Sequence, residues 1–78
     1  MTRLDLRGLK CPLPVLKTRA ALRRMAGGEV LEVSTSDPMS VIDVPNLLRQ
    51  TGDVLLVQTA TDFGTLFRIE KAASGQQP

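Results

Sequence analysis

The chain has 78 residues, of which 42% are hydrophobic, and its formal net charge is +2. This length predicts one domain with a thin core, and one cysteine without any histidine excludes an internal disulfide and a closed zinc site. No apolar run approaches the ~20 residues of a membrane span, and charged Arg3, Asp5 and Arg7 interrupt any signal-peptide core. We therefore expect a cytoplasmic protein with no membrane partner, metal or cofactor.

The first predicted elements are a strand and a helix. Leucine alternates with charged residues over residues 3–7, which favours a short strand with one buried face. Residues 12–25 predict a helix, because Pro12 suits the first helical position and a glycine pair suits the end. On this prediction Cys11 is the N-cap residue of the helix.

Two apolar stripes compete for the buried face of this helix. One stripe is free of charge and consists of Val15, Thr18, Ala21, Leu22 and Met25. The other stripe begins with Leu13 and Leu16 but runs into two arginines near the end of the helix. We expect the first stripe to face the core. Leu13 and Leu16 should then be at least partly exposed, one turn from Cys11.

The middle of the chain predicts a second strand and a second helix. Residues 29–35 alternate as a strand does, and a helix follows over residues 38–51. Asp37 suits the N-cap of this helix and Pro38 its first position, so both receive structural roles. Pro45 lies inside the helix. Either the helix kinks there, or a turn ends and a shorter helix begins at Pro45.

The last part of the chain predicts a β-hairpin. Residues 53–60 and 65–71 have the pattern of strands, and residues 61–64 suit the turn between them. Residues 73–78 are polar and contain glycine and proline, so we expect a disordered tail after a single domain over residues 1–72.

The order of these elements is βαβαββ. Strands with one buried face and helices with one apolar stripe predict an α/β (α+β) fold of two layers. We expect a two-layer sandwich, with a four-stranded mixed sheet and two helices on one face. The first strand, helix and second strand should form a right-handed parallel crossover.

The segment around Cys11 carries the functional signal. It lies where a strand meets a helix N-terminus, whose free N–H groups and dipole favour a thiolate. Lys10 adds a neighbouring cation, and Lys17 lies within two turns. Pro12 and Pro14 remove two N–H donors but stiffen the backbone. These features predict a moderately activated thiol that points outward.

The residues that are missing narrow the chemistry further. Without a second cysteine, a dithiol–disulfide cycle within the chain is excluded, and without histidine a Cys–His hydrolase is disfavoured. A lone activated thiol can still accept a sulfur atom, hold it as a persulfide and release it to another thiol. The residues alone leave open the alternative that Cys11 is a small buried residue at a helix start.

Three features carry a resemblance to a known family: the run LDLRGLKCPLPVLKTRAAL, the pair Asp37-Pro38 and the triplet Asp43-Val44-Pro45. Over residues 3–71 the chain resembles the TusA/SirA-like family of sulfur carriers. The Cys-Pro-x-Pro motif of that family falls on Cys11, Pro12 and Pro14. Gly8 precedes the motif and supports the match.

The resemblance implies both a fold and a function. It implies the βαβαββ sandwich and a persulfide on Cys11, received from a cysteine desulfurase or a rhodanese-type protein. It implies onward transfer toward tRNA thiolation, molybdenum-cofactor maturation or sulfur oxidation. Such a carrier takes part in sulfur transfer without turnover of its own, and whether it counts as an enzyme stays open.

The surface around Cys11 predicts contacts with partners. We expect Leu13 and Leu16 to belong to a docking patch, with Lys10 and Lys17 as its charged contacts. The two phenylalanines, without Trp or Tyr, offer few stacking platforms, so no direct nucleic-acid partner is expected. The free protein should be a monomer. Two other functions remain open, namely a regulatory or interaction module and a thiol redox sensor.

Overall fold

A computed structural model describes residues 1–72 of the chain. Its elements follow the predicted βαβαββ order: β1 Thr2–Leu6, α1 Leu13–Arg23, β2 Val30–Thr35, α2 Ser40–Thr51, β3 Val54–Ala60 and β4 Thr65–Glu70. The tail predicted for residues 73–78 lies outside the described residues. Within residues 1–72, none of the helices has the length and apolar character needed to span a membrane.

The four strands form one mixed sheet in the order β1-β2-β4-β3. β1 is parallel to β2, whereas β4 is antiparallel to both β2 and β3. Val33 pairs with Phe67, and Leu31 pairs with Ile69, so alternate residues of the two central strands share one face. All four side chains are completely buried in the core against the helices. The predicted mixed sheet in a two-layer fold is therefore confirmed.

The face that α1 presents to the core agrees with the charge-free stripe. Thr18 and Leu22 are buried, and the other three members of the stripe are half-buried. The buried Thr18 hydroxyl donates a hydrogen bond of 2.8 Å to the Pro14 carbonyl, which satisfies it inside the helix. Leu13 and Leu16 are 45% and 50% exposed, as predicted.

The predicted start of α1 is wrong, because a turn precedes the helix. The Leu13 N–H donates to the Lys10 carbonyl over 2.9 Å, and this turn takes up Cys11 and Pro12. The helix therefore begins at Leu13 with Pro12 as its N-cap residue, and Cys11 lies one residue before the cap. The peptide bond between Cys11 and Pro12 is cis.

The predicted start of α2 is wrong for a similar reason. The Ser40 N–H donates to the Asp37 carbonyl over 3.0 Å, which closes a turn before the helix. The helix begins at Ser40 with Met39 as its N-cap residue, so Asp37 and Pro38 are neither cap nor first position. The Asp37 carboxylate still accepts a 3.3 Å hydrogen bond from the Met39 N–H.

Pro45 does not divide α2, which is continuous over Ser40–Thr51. A proline inside a helix removes one hydrogen bond and costs about 3 kcal/mol. Val44, Leu47 and Leu48 are buried beside it, and their packing on the core holds the helix together. Of the two alternatives, a new helix beginning at Pro45 is excluded.

The predicted hairpin is confirmed. β3 and β4 are joined by residues 61–64, where the Thr61 N–H donates to the Gly64 carbonyl over 2.9 Å. Arg7, directly after β1, lies over the Phe63 ring of this turn, with 5.2 Å between the guanidinium carbon and the ring centroid. Such a contact contributes about 0.5–1 kcal/mol at an exposed site.

Asp53, before β3, has a structural role that its position in the sequence does not suggest. The side chain is buried, and Oδ1 accepts a 2.8 Å hydrogen bond from the Ala72 N–H. Lys71 Nζ lies 3.9 Å from the same oxygen. Asp53 thus fastens the segment after β4 to the start of β3.

We expect Asp53→Ala to lower the free energy of unfolding by about 1–3 kcal/mol, because it leaves a buried N–H without its acceptor. Urea denaturation would measure the change. Asp62→Ala is the matched control, since Asp62 is exposed on the hairpin turn and should alter stability by less than about 0.5 kcal/mol. Equal losses in the two variants would contradict the role given to Asp53.

Candidate functional site

Cys11 is exposed in the loop between β1 and α1. Because β1 and β2 are parallel neighbours, the loops that follow them meet at one edge of the sheet. Two hydrogen bonds join these loops. The Cys11 N–H donates to Asp37 Oδ2 over 2.7 Å, and the Gly8 N–H donates to Ser36 Oγ over 2.8 Å. The backbone at Cys11 is therefore held from outside its own loop.

Gly8 and the two prolines of the motif support this loop in different ways. Gly8 has a φ of 86°, a conformation that glycine adopts without a steric penalty. Pro12 belongs to the turn that precedes α1. Pro14 is buried, which anchors the first turn of the helix to the core and leaves Cys11 exposed. All three positions have backbone or packing roles.

The thiol of Cys11 contacts a carboxylate. Its Sγ donates a hydrogen bond of 3.2 Å to Asp43 Oδ2, and Asp43 lies in the first turn of α2. Asp43 is thus a helical residue whose carboxylate belongs to the site. Asp37 is likewise a site residue, because it binds the Cys11 N–H.

The electrostatics of the thiol differ from the prediction. The hydrogen bond to Asp43 is the largest of the effects that raise the pKa of Cys11, followed by desolvation and by the charges of Asp43 and Asp37. The predicted activation by a helix N-terminus is therefore wrong. Cys11 precedes the N-cap of α1 by one residue, and two carboxylates from distant parts of the chain face it.

A groove of about 340 Å³ opens beside the thiol between α1 and α2. Its lining includes Arg19 and three residues that sequence reasoning missed: Asn46, Leu47 and Gln50. Leu16, predicted as a docking residue, also lines it. These residues lie on α1 and α2, and the sequence does not show that the two helices contact each other.

The predicted docking residues do not all meet at one place. Lys10 lines a second groove, on the side of Cys11 that faces Pro38. Lys17 is exposed on α1 but lines neither groove. Exposed apolar side chains also occur at the start of α2, where the N-cap residue Met39 and the helical residues Val41 and Ile42 are 43% to 55% exposed.

The fold and this site together define a class of protein. It is a small two-layer α/β sandwich that presents one exposed thiol where β1 meets α1, with open grooves on both sides. A thiol in such a position can be reached by a reactive group of another protein.

Comparison with known proteins identifies the family. The family model for sulfurtransferase TusA matches residues 2–71, which is nearly the whole chain. The chain therefore belongs to the TusA family, and the resemblance seen in its sequence is confirmed. The family as a whole works in sulfur transfer, so a sulfur donor and a sulfur acceptor are its general partners.

Individual relatives agree with this membership. The chain is 45% identical over 53 residues to the sulfur carrier protein TusA of Allochromatium vinosum, an alignment that covers 68% of this chain and 70% of that one. It is 40% identical over 75 residues to a candidate sulfur carrier protein of Aquifex aeolicus. That alignment covers 96% of this chain but only 38% of the longer Aquifex protein.

A solved structure has the same fold. The crystal structure of a SirA-like protein from Desulfitobacterium hafniense superimposes with a TM-score of 0.78. The superposition covers 95% of this chain and all of that one, at 23% sequence identity. The likeness confirms the four-stranded sheet with two helices.

Proposed function

We propose that this protein is a sulfur carrier that accepts sulfur as a persulfide on Cys11 and passes it to a partner protein. The observation that carries the proposal is the exposed thiol of Cys11, a residue whose backbone N–H is bound by Asp37 and which is flanked by two open grooves. Membership of the TusA family supports it. So does the name of the Allochromatium relative, a sulfur carrier protein.

The transfer that we propose is an exchange of one sulfur atom between thiols. The Cys11 thiolate attacks the terminal sulfur of a donor persulfide and forms a new S–S bond. The S–S bond of the donor breaks, and its electron pair leaves on the donor thiolate, which then takes up a proton. Cys11 becomes a persulfide with no net oxidation. The same step on an acceptor thiol returns Cys11 to its free form.

The partners that we propose are proteins. The donor is a cysteine desulfurase or a rhodanese-type protein, and the acceptor belongs to tRNA thiolation, molybdenum-cofactor maturation or sulfur oxidation. Exposed Leu13 and Leu16 supply an apolar contact beside the thiol, and Lys10 a charged one. Lys17 would contact only a partner that extends along α1. Exposed apolar groups at the thiol favour docking because a partner that covers them removes them from water.

Intact-mass measurement after incubation with a cysteine desulfurase and cysteine tests this function. We expect the wild-type protein to gain one sulfur atom and to lose it to a thiol reductant. A rhodanese with thiosulfate serves as a second donor. If neither donor loads the protein, the carrier function is refuted.

A further inference from the structure

We infer that Asp43 holds Cys11 as a protonated thiol of low reactivity in the free protein, and that a partner releases the thiolate by placing a cationic side chain against Asp43. The inference rests on the proposed function, since it concerns the state of the same thiol between transfers. It assigns Asp43 a role in sulfur transfer and gives the partner surface a charge.

The hydrogen bond between the two side chains fixes where the proton lies. An ionised carboxylate can only accept hydrogen bonds, so the 3.2 Å contact between Sγ and Asp43 Oδ2 requires the proton to be on sulfur. Loss of that proton would leave two anions 3.2 Å apart. The contact therefore stabilises the thiol and penalises the thiolate, which is the reactive form.

The position of Asp43 favours its negative charge, which a thiolate at Cys11 would have to face. Asp43 lies in the first turn of α2, where the dipole of the helix favours a negative charge. The helix N-terminus at this site thus acts on the carboxylate, whereas the sequence suggested that one would act on the thiol.

The other charged groups at the site include one that disfavours a thiolate at Cys11 and two that favour it. Asp37, in the loop after β2, adds a second negative charge and binds the Cys11 N–H. Lys10 precedes Cys11 in its own loop, and Arg19 of α1 lines the same groove as Cys11 and Asp43. Despite these two cations, the pKa of Cys11 is raised, with the hydrogen bond to Asp43 as the first cause.

Release of the thiolate then requires a change at Asp43. A lysine or arginine of the partner forms an ion pair with Asp43 and replaces the hydrogen bond from Cys11. The Sγ proton then passes to solvent. The free carrier is in this way protected against unintended oxidation and alkylation, which both proceed through the thiolate. A partner without a cation at this point meets a thiol of low reactivity.

The rate of alkylation by iodoacetamide as a function of pH tests the inference on the protein alone. We expect Asp43→Asn to lower the midpoint of this profile by about 1 pH unit, since a neighbouring charge shifts a pKa by 1–3 units. The rate at neutral pH should rise by about threefold. It rises by less than the thiolate fraction does, because a thiol of lower pKa is intrinsically less nucleophilic.

Two variants serve as controls in that experiment. Asp43→Glu keeps the charge and should keep the midpoint well above that of Asp43→Asn. Asp62→Asn removes an exposed carboxylate on the hairpin turn and should leave the midpoint at the wild-type value. A midpoint for Asp43→Asn equal to that of the wild type would overturn the inference, as would an equal shift in Asp62→Asn.

A second measurement probes the preference for a cation directly. Methanethiosulfonate reagents of similar size carry an aminoethyl cation or a sulfonatoethyl anion, and both modify thiols. We expect the ratio of cationic to anionic rates to fall several-fold from wild type to Asp43→Asn, because the attracting carboxylate is removed. An unchanged ratio would overturn the part of the inference that concerns the partner.

These outcomes are independent of the carrier function. Alkylation requires no sulfur donor, so a failure of the Asp43 inference leaves sulfur uptake by the wild-type protein untouched. A wild-type protein that never gains sulfur would refute the carrier function, whatever its alkylation profile.

Discussion

Replacement of Cys11 by serine is expected to abolish sulfur uptake completely and to leave the fold unchanged. The side chain is exposed, and the bond that anchors this position runs from the Cys11 N–H to Asp37, so it does not depend on the thiol. A serine hydroxyl can also donate to Asp43 in place of Sγ. The variant therefore removes the nucleophile alone, because a hydroxyl cannot form a persulfide.

Intact mass after loading measures this effect, and urea denaturation should show stability within about 0.5 kcal/mol of wild type. Sulfur uptake by Cys11→Ser would contradict the role of Cys11 as the sulfur-carrying residue. The two alternative functions make other predictions. An interaction module would bind its partner equally well with serine at this position, and a redox sensor would form a peroxide-dependent dimer through Cys11 without reacting with a desulfurase.

Replacement of Gly64 by alanine should be among the most damaging changes to the fold. Gly64 has a φ of 150°, and a Cβ there would overlap the Thr35 carbonyl oxygen and lie 2.7 Å from Ser36 Cα. Both obstacles are backbone atoms, which cannot move aside cheaply. Backbone strain and overpacking together should cost about 3–5 kcal/mol. That is comparable to the whole stability of a small domain, and urea denaturation would show a largely unfolded protein.

The matched control is Gly28→Ala. Gly28 also has a positive φ, of 89°, but nothing lies within 4 Å of a Cβ at this position. The Gly28→Ala variant should therefore lose only about 1 kcal/mol of unfolding free energy, which is the cost of the backbone conformation. Equal losses in the two variants would show that the close approach of the hairpin turn to the end of β2 is unimportant.

The close contact between the hairpin turn and the end of β2 also connects the hairpin to the site. Gly64 contacts the end of β2 at Thr35 and Ser36, and Ser36 accepts the hydrogen bond from Gly8 in the loop that carries Cys11. Any folded fraction of Gly64→Ala should therefore show an altered alkylation rate at Cys11. An unaltered rate would mean that the loops after β1 and β2 are held independently of the hairpin.

The order and the faces of the elements could be predicted because local patterns determine them. Alternation identified the buried face of β2, with Leu31 and Val33, and a charge-free stripe identified the buried face of α1, with Thr18 and Leu22. The helix starts could not be predicted in the same way. The turns that begin at Lys10 and Asp37 compete with the helices for the same residues, and tertiary hydrogen bonds decide between them.

The site, too, could be predicted from the sequence only in part. The sequence identified Cys11 as the reactive residue and the surrounding leucines as exposed. Its electrostatics depend on Asp37 and Asp43, which are 26 and 32 residues away along the chain. A parallel crossover was predicted, but no local pattern shows that the carboxylates of Asp37 and Asp43 face Cys11. The thiol was therefore predicted to be more acidic, and it is less so.

The chemical state of Cys11 in loaded, desalted protein is the most direct test of the carrier function. A persulfide adds one sulfur atom and a sulfinic acid adds two oxygen atoms, and these additions have nearly equal mass. Dithiothreitol distinguishes them, because it reduces a persulfide but not a sulfinic acid. We expect that the added mass disappears, that one sulfide is released per chain, and that iodoacetamide then modifies Cys11 as a free thiol without the extra sulfur. An added mass that persists after reduction, without released sulfide, would contradict the carrier function.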